Sequence, residues 1–205
     1  MLGIEQIILS IPAILLAISF HELGHAYVAY KMGDPTPKYQ GRLTLNPLAH
    51  LDPVGAIMLL IFKIGWAKPV VINPHYFKNR RQGILLVSLA GPLANVILAW
   101  VFYNILGFLP HLMPSFALAN TVSLFLILNV QLNLGLAAFN LLPVPPLDGS
   151  KILSSLLPTR LEYQYSQWAR YGPLILILLV VTGGARFIIN PIYSALFRIV
   201  IGLSL

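Results

Sequence analysis

The sequence predicts an all-α polytopic membrane protein with about five to six transmembrane helices, a short membrane-associated β-hairpin or sheet, and a re-entrant segment. Two observations on composition support this prediction: 58% of the 205 residues are hydrophobic, and only 9% are charged. A soluble domain of this size has roughly 25% charged residues. The third observation is that the hydrophobic residues lie in long runs, and about 20 apolar residues cross a bilayer as a helix.

The apolar runs predict the helices in chain order. The first run, roughly Gly3 to Tyr30, ends at a cluster of helix-breaking residues from Lys31 to Pro35. The later runs are Ile84 to Leu109, Phe116 to Leu142, Leu174 to Val181 and Phe187 to Leu205. The run from Leu174 to Val181 is short, but it can extend back through Trp168. We expect one domain over residues 1–205, with a core at about 3–155 and C-terminal helices at about 168–205.

The region between the first two long runs predicts short strands and a re-entrant segment. Tyr39 to Asn46 contains an Arg-Leu-Thr-Leu alternation flanked by Gly, Asn and Pro, and Val70 to Asn73 lies between two prolines. Both stretches are therefore interpreted as short strands. Val54 to Trp66 is apolar, but it is short and Lys63 interrupts it. We expect this segment to re-enter the membrane rather than to span it.

The net charge of +7 indicates how the chain is oriented in the membrane. Basic residues are concentrated between Lys31 and Gln82 and recur after residue 150, whereas the loop from His111 to Ser115 has none. Cytoplasmic loops carry an excess of Lys and Arg, so we expect the basic side to be cytoplasmic and the N-terminus to be outside. A nucleic-acid partner is not expected, because no basic stretch is interleaved with solvent-facing aromatic residues.

The sequence His21-Glu22-Leu23-Gly24-His25 lies inside the first apolar run. On a helix the two histidines share a face, and this spacing lets both imidazoles bind one Zn²⁺. Glu22 points away from the two-histidine face and is predicted to be the general base. Histidines and a carboxylate at membrane depth are costly unless they face protein, water or a metal. The motif therefore predicts zinc-dependent peptide hydrolysis within the bilayer.

A catalytic zinc usually has three protein ligands, and the third is sought among the carboxylates because the chain has no cysteine. Five of the six acidic residues are set aside by position or expected role: Glu22 as base, and Glu5, Asp34, Asp52 and Glu162. Asp148 remains, after a proline-rich helix break that is tolerated at membrane depth where backbone lines a cavity. The alternative role for Asp148-Gly149 is a turn or a helix cap.

Three motifs in this order resemble the site-2 protease family of intramembrane zinc metalloproteases, peptidase family M50. They are the HExxH sequence, Gly91-Pro92-Leu93-Ala94-Asn95, and Asn140 through Asp148-Gly149. The resemblance covers roughly residues 10 to 155, and Asn46 to Pro53 is similar to the small prokaryotic branch without a PDZ or CBS domain. Leu147 stands where the family often has the proline of Asn-Pro-Asp-Gly.

The resemblance implies one Zn²⁺ per chain, bound by His21, His25 and Asp148, with Glu22 activating the water. It further implies a multi-pass protein of a prokaryotic plasma membrane. The charge distribution predicts that the active site lies toward the cytoplasm, because the HExxH sequence is in the last third of its helix. The substrates would be transmembrane or signal-peptide-like proteins, cleaved in or near their membrane segments in regulated intramembrane proteolysis. An exposed strand edge could hold an unwound substrate by β-augmentation.

Several amides and one histidine have predicted roles near the site. Asn140 is the candidate oxyanion donor or substrate-positioning group. Asn129 and Asn133 share its helix face and are predicted to form interhelical hydrogen bonds. Asn95 is expected to support the site. His50 is interpreted as a loop histidine, with a gate beside the zinc as the alternative.

Two other functions remain as alternatives. A catalytically inactive relative would act as a membrane scaffold, but the intact Glu22 argues against it. A metal transporter would string its ligands along the membrane normal, whereas these residues are expected to cluster at one depth.

Overall fold

A computed structural model describes residues 3–52, 55, 68–112 and 116–204 of this chain. Within these ranges the elements are helices. Their bounds are α1 Ile4–Lys31, α2 Thr36–Tyr39, α3 Arg80–Leu112, α4 Phe116–Asn140, α5 Asp148–Leu156, α6 Thr159–Ala169, α7 Gly172–Val181 and α8 Gly184–Gly202, with 3₁₀ turns at Pro47–Ala49 and Pro74–Tyr76. The described part therefore confirms the predicted all-α class.

The described residues contain four helices that are long and apolar enough to cross a membrane: α1, α3, α4 and α8. The chain is a multi-pass integral membrane protein. The prediction of five to six spans exceeds this number. The ten residues of α7 extend only about 15 Å, half of the hydrocarbon thickness. The predicted re-entrant segment Val54 to Trp66 lies outside the described residues.

The strands predicted at Tyr39 to Asn46 and Val70 to Asn73 are not formed in the described part of the chain. Tyr39 ends the short helix α2 instead. The guanidinium of Arg42 is buried and donates to the carbonyls of Ala49, Lys68 and Pro69. Within the predicted strand Tyr39 to Asn46, the N–H of Arg42 donates to Pro37 O, the N–H of Asn46 donates to Thr44 Oγ1, and Thr44 O lies 2.8 Å from His50 Nε2. Backbone groups that a strand ladder would need are therefore bound locally, which explains why the alternating pattern does not produce a hairpin.

Acidic side chains also bind backbone donors in this region. Asp34 is fully buried, and its carboxylate accepts hydrogen bonds from the N–H groups of Thr36 and Asn73, at 2.9 and 2.7 Å. Asp34 therefore stabilises the turn that follows α1. The second of these bonds also ties the turn after α1 to the segment that precedes α3.

Helices α1, α3 and α4 pack against one another, and α5 packs against α3. Gly24 allows α1 to approach α3 closely, because a Cβ there would lie 2.7 Å from the backbone oxygen of Ala90. A hydrophobic core cluster joins α3, α4 and α8 through Ala99, Leu134 and Val200. The contact between Gly24 and Ala90 brings the second half of α1 against the first half of α3.

We predict that Gly24→Ala destabilises the protein by about 1–3 kcal/mol, since the added methyl group must push two packed helices apart. Thermal unfolding in detergent measures this effect. Gly107→Ala in α3 is the matched control, because a Cβ at Gly107 meets nothing within 4 Å. Equal melting temperatures for the two variants would contradict the close approach at Gly24.

Candidate metal centre and active site

His21 and His25 lie four positions apart in α1 and face a common point. Their side chains are buried, and their Nε2 atoms are 3.1 Å apart. Asp148, the first residue of α5, brings its Oδ2 to 3.2 Å from His21 Nε2 and 3.0 Å from His25 Nε2. Two ring nitrogens from one helix and one carboxylate oxygen from another therefore converge.

The segment between α4 and α5 directs Asp148 toward the histidines. Three prolines prevent the helix of α4 from continuing through residues 141–147. The chain then turns back tightly on the end of α4, because a Cβ at Gly149 would lie 2.3 Å from the oxygen of Leu141 and 2.4 Å from that of Leu142. Only glycine fits this approach, which places Asp148 against α1.

The donor set fits zinc. Bonds of about 2.0–2.1 Å in a tetrahedral site separate the ligand atoms by about 3.3 Å, close to the observed 3.0–3.2 Å. Asp148 Oδ2 is buried and receives no hydrogen bond from the described residues. A buried carboxylate oxygen without a hydrogen-bond donor is suited to bind a cation.

The other nitrogen of each imidazole is held by a hydrogen bond. His25 Nδ1 donates to the carbonyl oxygen of Val87, and His21 Nδ1 donates to Oδ1 of Asn95, both at 2.7 Å. Because these acceptors require a proton on Nδ1, each Nε2 keeps its lone pair for a metal. The amide of Asn95 is itself held in this orientation, because its Nδ2 donates to Ala17 O at 2.9 Å.

The Nδ2 group of Asn95 also donates to Asn133 Oδ1 at 2.8 Å, which links α3 to α4. The predicted supporting role of Asn95 and the predicted interhelical role of Asn133 are confirmed. Asn129 is fully buried as well, but its Nδ2 donates to Phe125 O within its own helix. A chain of amides thus runs from the middle of α4 to the imidazole of His21.

Glu22 lines the same cavity of about 140 Å³ as the three ligand candidates. Its backbone position is about 100° around the helix from His21, yet its side chain reaches this cavity. The expectation that Glu22 points away from the histidines is wrong in this respect. Its Oε2 accepts a hydrogen bond from Val70 N at 3.2 Å, so the segment before α3 orients the carboxylate.

Gly91 provides the wall of α3 that faces the imidazoles. A Cβ at this position would lie 2.4 Å from His25 Nε2 and 2.7 Å from His21 Cε1. The Gly-Pro motif of the sequence therefore serves close packing of α3 against the ligand candidates. Any larger residue would displace the rings from Asp148.

Asn140 and Lys151 also line this cavity. Asn140 Nδ2 donates to Leu136 O at 3.0 Å, which uses one of its two amide protons. Lys151 Nζ lies 3.4 Å from Asp148 Oδ1, and the lysine side chain is half exposed. Lys151 is not among the residues predicted for the site, although its position three residues after Asp148 on a helix was the available signal.

The remaining candidates lie away from the cavity. His50 is fully buried, and its Nε2 is 2.8 Å from Thr44 O, which makes it a structural loop histidine rather than a cavity-lining residue. Glu162 forms an ion pair with Arg81 at 2.8 Å on the surface. Among the described residues, His21, His25 and Asp148 form the group that could hold a metal ion.

Comparisons with known proteins identify the family of this chain. Residues 110–180 match the family described as Peptidase family M50. YwhC of Bacillus subtilis strain 168, named provisionally as a zinc metalloprotease, is 42% identical over 188 residues, which cover 89% of this chain and 84% of YwhC. Rip2 of Mycolicibacterium smegmatis, also named provisionally as a zinc metalloprotease, is 34% identical over 181 residues, which cover 85% of this chain and 67% of Rip2.

MJ0611 of Methanocaldococcus jannaschii, also named provisionally as a zinc metalloprotease, is 34% identical over 71% of this chain and 69% of its own length. No solved structure matches this chain. The names of these relatives, together with the helical membrane fold and the His-His-Asp cluster, define the class of this protein as a zinc metalloprotease. The chain belongs to peptidase family M50, the site-2 protease family.

We predict that Asn95→Ala weakens zinc binding about 10–100-fold, because His21 loses the acceptor that fixes its ring. Competition with a chromogenic chelator measures the affinity. Asn104→Ala in the same helix is the control, since Asn104 bonds to Trp100 O and does not contact the histidines. Equal zinc affinity in the two variants would show that Asn95 does not orient His21.

Proposed function

We propose that this protein is an intramembrane zinc metalloprotease that hydrolyses peptide bonds in or near the transmembrane segments of other proteins. The observation that carries the proposal is the depth of the site. His21 lies ten residues before the end of α1, a helix long enough to span, and therefore about 15 Å from its cytoplasmic end. A site at this depth in a spanning helix is suited to substrates that are themselves membrane segments.

The residues of the cavity divide the chemistry between them. His21, His25 and Asp148 would hold the metal, and zinc bound there would supply a Lewis acid and a water whose pKa is lowered to about 7. Glu22 takes the proton of the attacking water and returns it to the leaving amine. The N–H of Val70 holds the Glu22 carboxylate in position for both transfers.

Asn140 is proposed as the group that donates to the developing oxyanion or positions the scissile carbonyl. The Nδ2 group of Asn140 has two protons. One is donated to the carbonyl oxygen of Leu136, one turn earlier in α4, and the other can be donated to a substrate. The side chain lines the cavity beside Glu22 and Asp148.

A helical substrate must be unwound before hydrolysis, since its peptide bonds are shielded within the helix. Residues 70–72 run irregularly beside the cavity, and Val71 is exposed. We propose that this segment pairs with the unwound substrate by β-augmentation, in which backbone hydrogen bonds hold an extended chain.

The membrane arrangement forms part of the proposal. Basic residues at the end of α1 and the start of α3 support a cytoplasmic active site in a prokaryotic plasma membrane. Under this proposal, Val54 to Trp66 re-enters the membrane and does not cross it. The substrates are transmembrane or signal-peptide-like proteins handled in regulated proteolysis.

Hydrolysis is favoured over binding or transport by the grouping of residues. The three ligand candidates lie within 4.8 Å of one another, rather than along a path across the membrane. An inactive scaffold or a transporter would not need a glutamate held by a backbone N–H in the same cavity.

Replacement of the proposed base tests the mechanism. We predict that Glu22→Gln lowers kcat for a model transmembrane substrate by at least about 100-fold, since general base catalysis contributes 10²–10⁴-fold. Zinc content should equal that of the wild type, because Glu22 is not a ligand. Peptide products resolved by mass spectrometry report cleavage in detergent. Wild-type rates in this variant would refute the role of Glu22.

Replacement of the carboxylate ligand gives a different result. We predict that Asp148→Asn loses both cleavage and zinc, because the anionic oxygen that faces the two imidazoles is removed. A chelator should inactivate the wild type, and added zinc should restore it. Glu162→Gln is the control, as its carboxylate pairs with Arg81 on the surface. Full zinc occupancy in Asp148→Asn would exclude Asp148 as a ligand.

A further inference from the structure

A second cavity adjoins the one that contains the ligand candidates. Its volume is about 310 Å³, compared with about 140 Å³ for the first. Five of its seven lining residues also line the first cavity. The shared wall consists of Val70 and Ile72 from the segment before α3, Val87 and Ser88 from α3, and Lys151 from α5.

The two cavities differ in chemistry. The first contains both imidazoles and the carboxylates of Glu22 and Asp148. The residues that belong to the second alone, Pro74 and Ile84, are apolar, and its exposed lining is mainly apolar. Its volume is at the lower end of the range for ligand pockets, about 300–1,000 Å³.

We infer that the second cavity is a specificity subsite that receives one large apolar side chain of the substrate, from a residue next to the scissile bond. The inference rests on the proposed function and names the side chain that the site selects. Val70 and Val87, which separate the cavities, bind Glu22 and His25 through their backbone atoms. A side chain in the second cavity therefore belongs to a residue whose backbone lies at the catalytic groups.

An extended substrate directs successive side chains to opposite sides. The residue on one side of the scissile bond can then fill the second cavity, while its neighbour across that bond points elsewhere. Transmembrane segments are rich in large apolar residues, so the lining of this subsite matches that class of substrate. Lys151 stands at the boundary, with its ammonium near Asp148 and its stem available to apolar groups.

Cleavage of a peptide series tests the subsite. Model substrates carry Ala, Leu or Phe at each of the two positions that flank the scissile bond, and kcat/KM is measured for each. We expect the wild type to prefer Leu or Phe over Ala by about 10-fold or more at one of these positions. Ile84→Phe should reduce the preference for Phe by making the cavity smaller, and Ile84→Ala should increase it.

Leu86→Phe and Leu86→Ala are the matched controls, because Leu86 lies two residues away in α3, is 38% exposed and lines neither cavity. Both controls should keep the wild-type ranking. If folded, zinc-loaded Ile84 variants also keep it, the subsite is refuted while the proposed function stands. Expulsion of a co-purified lipid by Ile84→Phe without a change in ranking would assign the cavity to an acyl chain and would also refute the subsite.

Failure of the wild type to cleave any peptide would contradict the proposed function itself. The subsite is then tested by binding of the same peptides, measured by fluorescence anisotropy. Affinity that rises from Ala to Phe and falls in Ile84→Phe supports the subsite. Equal affinities for all peptides refute it.

Discussion

The structure depends above all on the convergence of three atoms with lone pairs inside the helix bundle. His21 Nε2, His25 Nε2 and Asp148 Oδ2 lie 3.0–3.2 Å apart among buried residues. Two imidazole lone pairs and an anionic oxygen repel one another at these distances, and a buried charge costs several kcal/mol unless it is compensated. A zinc cation provides that compensation, so metal binding and the local fold support each other.

The surrounding sequence meets this constraint with close backbone approaches and fixed hydrogen-bond acceptors. Gly91 and Gly149 allow α3 and the loop before α5 to come into contact with their neighbours without a Cβ in the way. Asn95 and the carbonyl of Val87 set the tautomers of the two histidines. Each of these groups fixes the position or the protonation of the three converging side chains, and none needs to contact a substrate.

Residues that are close in sequence or chemically unusual could be predicted from the sequence. The two histidines were found because a four-residue spacing on a helix fixes their relationship, and Asp148 was found because the chain has so few carboxylates. The long helices followed from apolar runs. The strands were predicted wrongly, since a local alternation does not reveal that the N–H of Arg42 binds Pro37 O and that Thr44 O faces the ring of His50.

Contacts between distant segments were the other part that could not be predicted. The bond from Val70 to Glu22 joins residues 48 positions apart and depends on how α1 and α3 pack. The second cavity depends on the same packing and leaves no local pattern in the sequence.

X-ray absorption at the zinc edge, recorded on the purified protein in detergent, tests the central claim most directly. The account predicts one zinc per chain with a low-coordinate shell of nitrogen and oxygen at about 2.0–2.1 Å and multiple scattering from two imidazoles. A shell of six oxygens, or scattering that requires fewer than two imidazoles, would contradict a site formed by His21, His25 and Asp148.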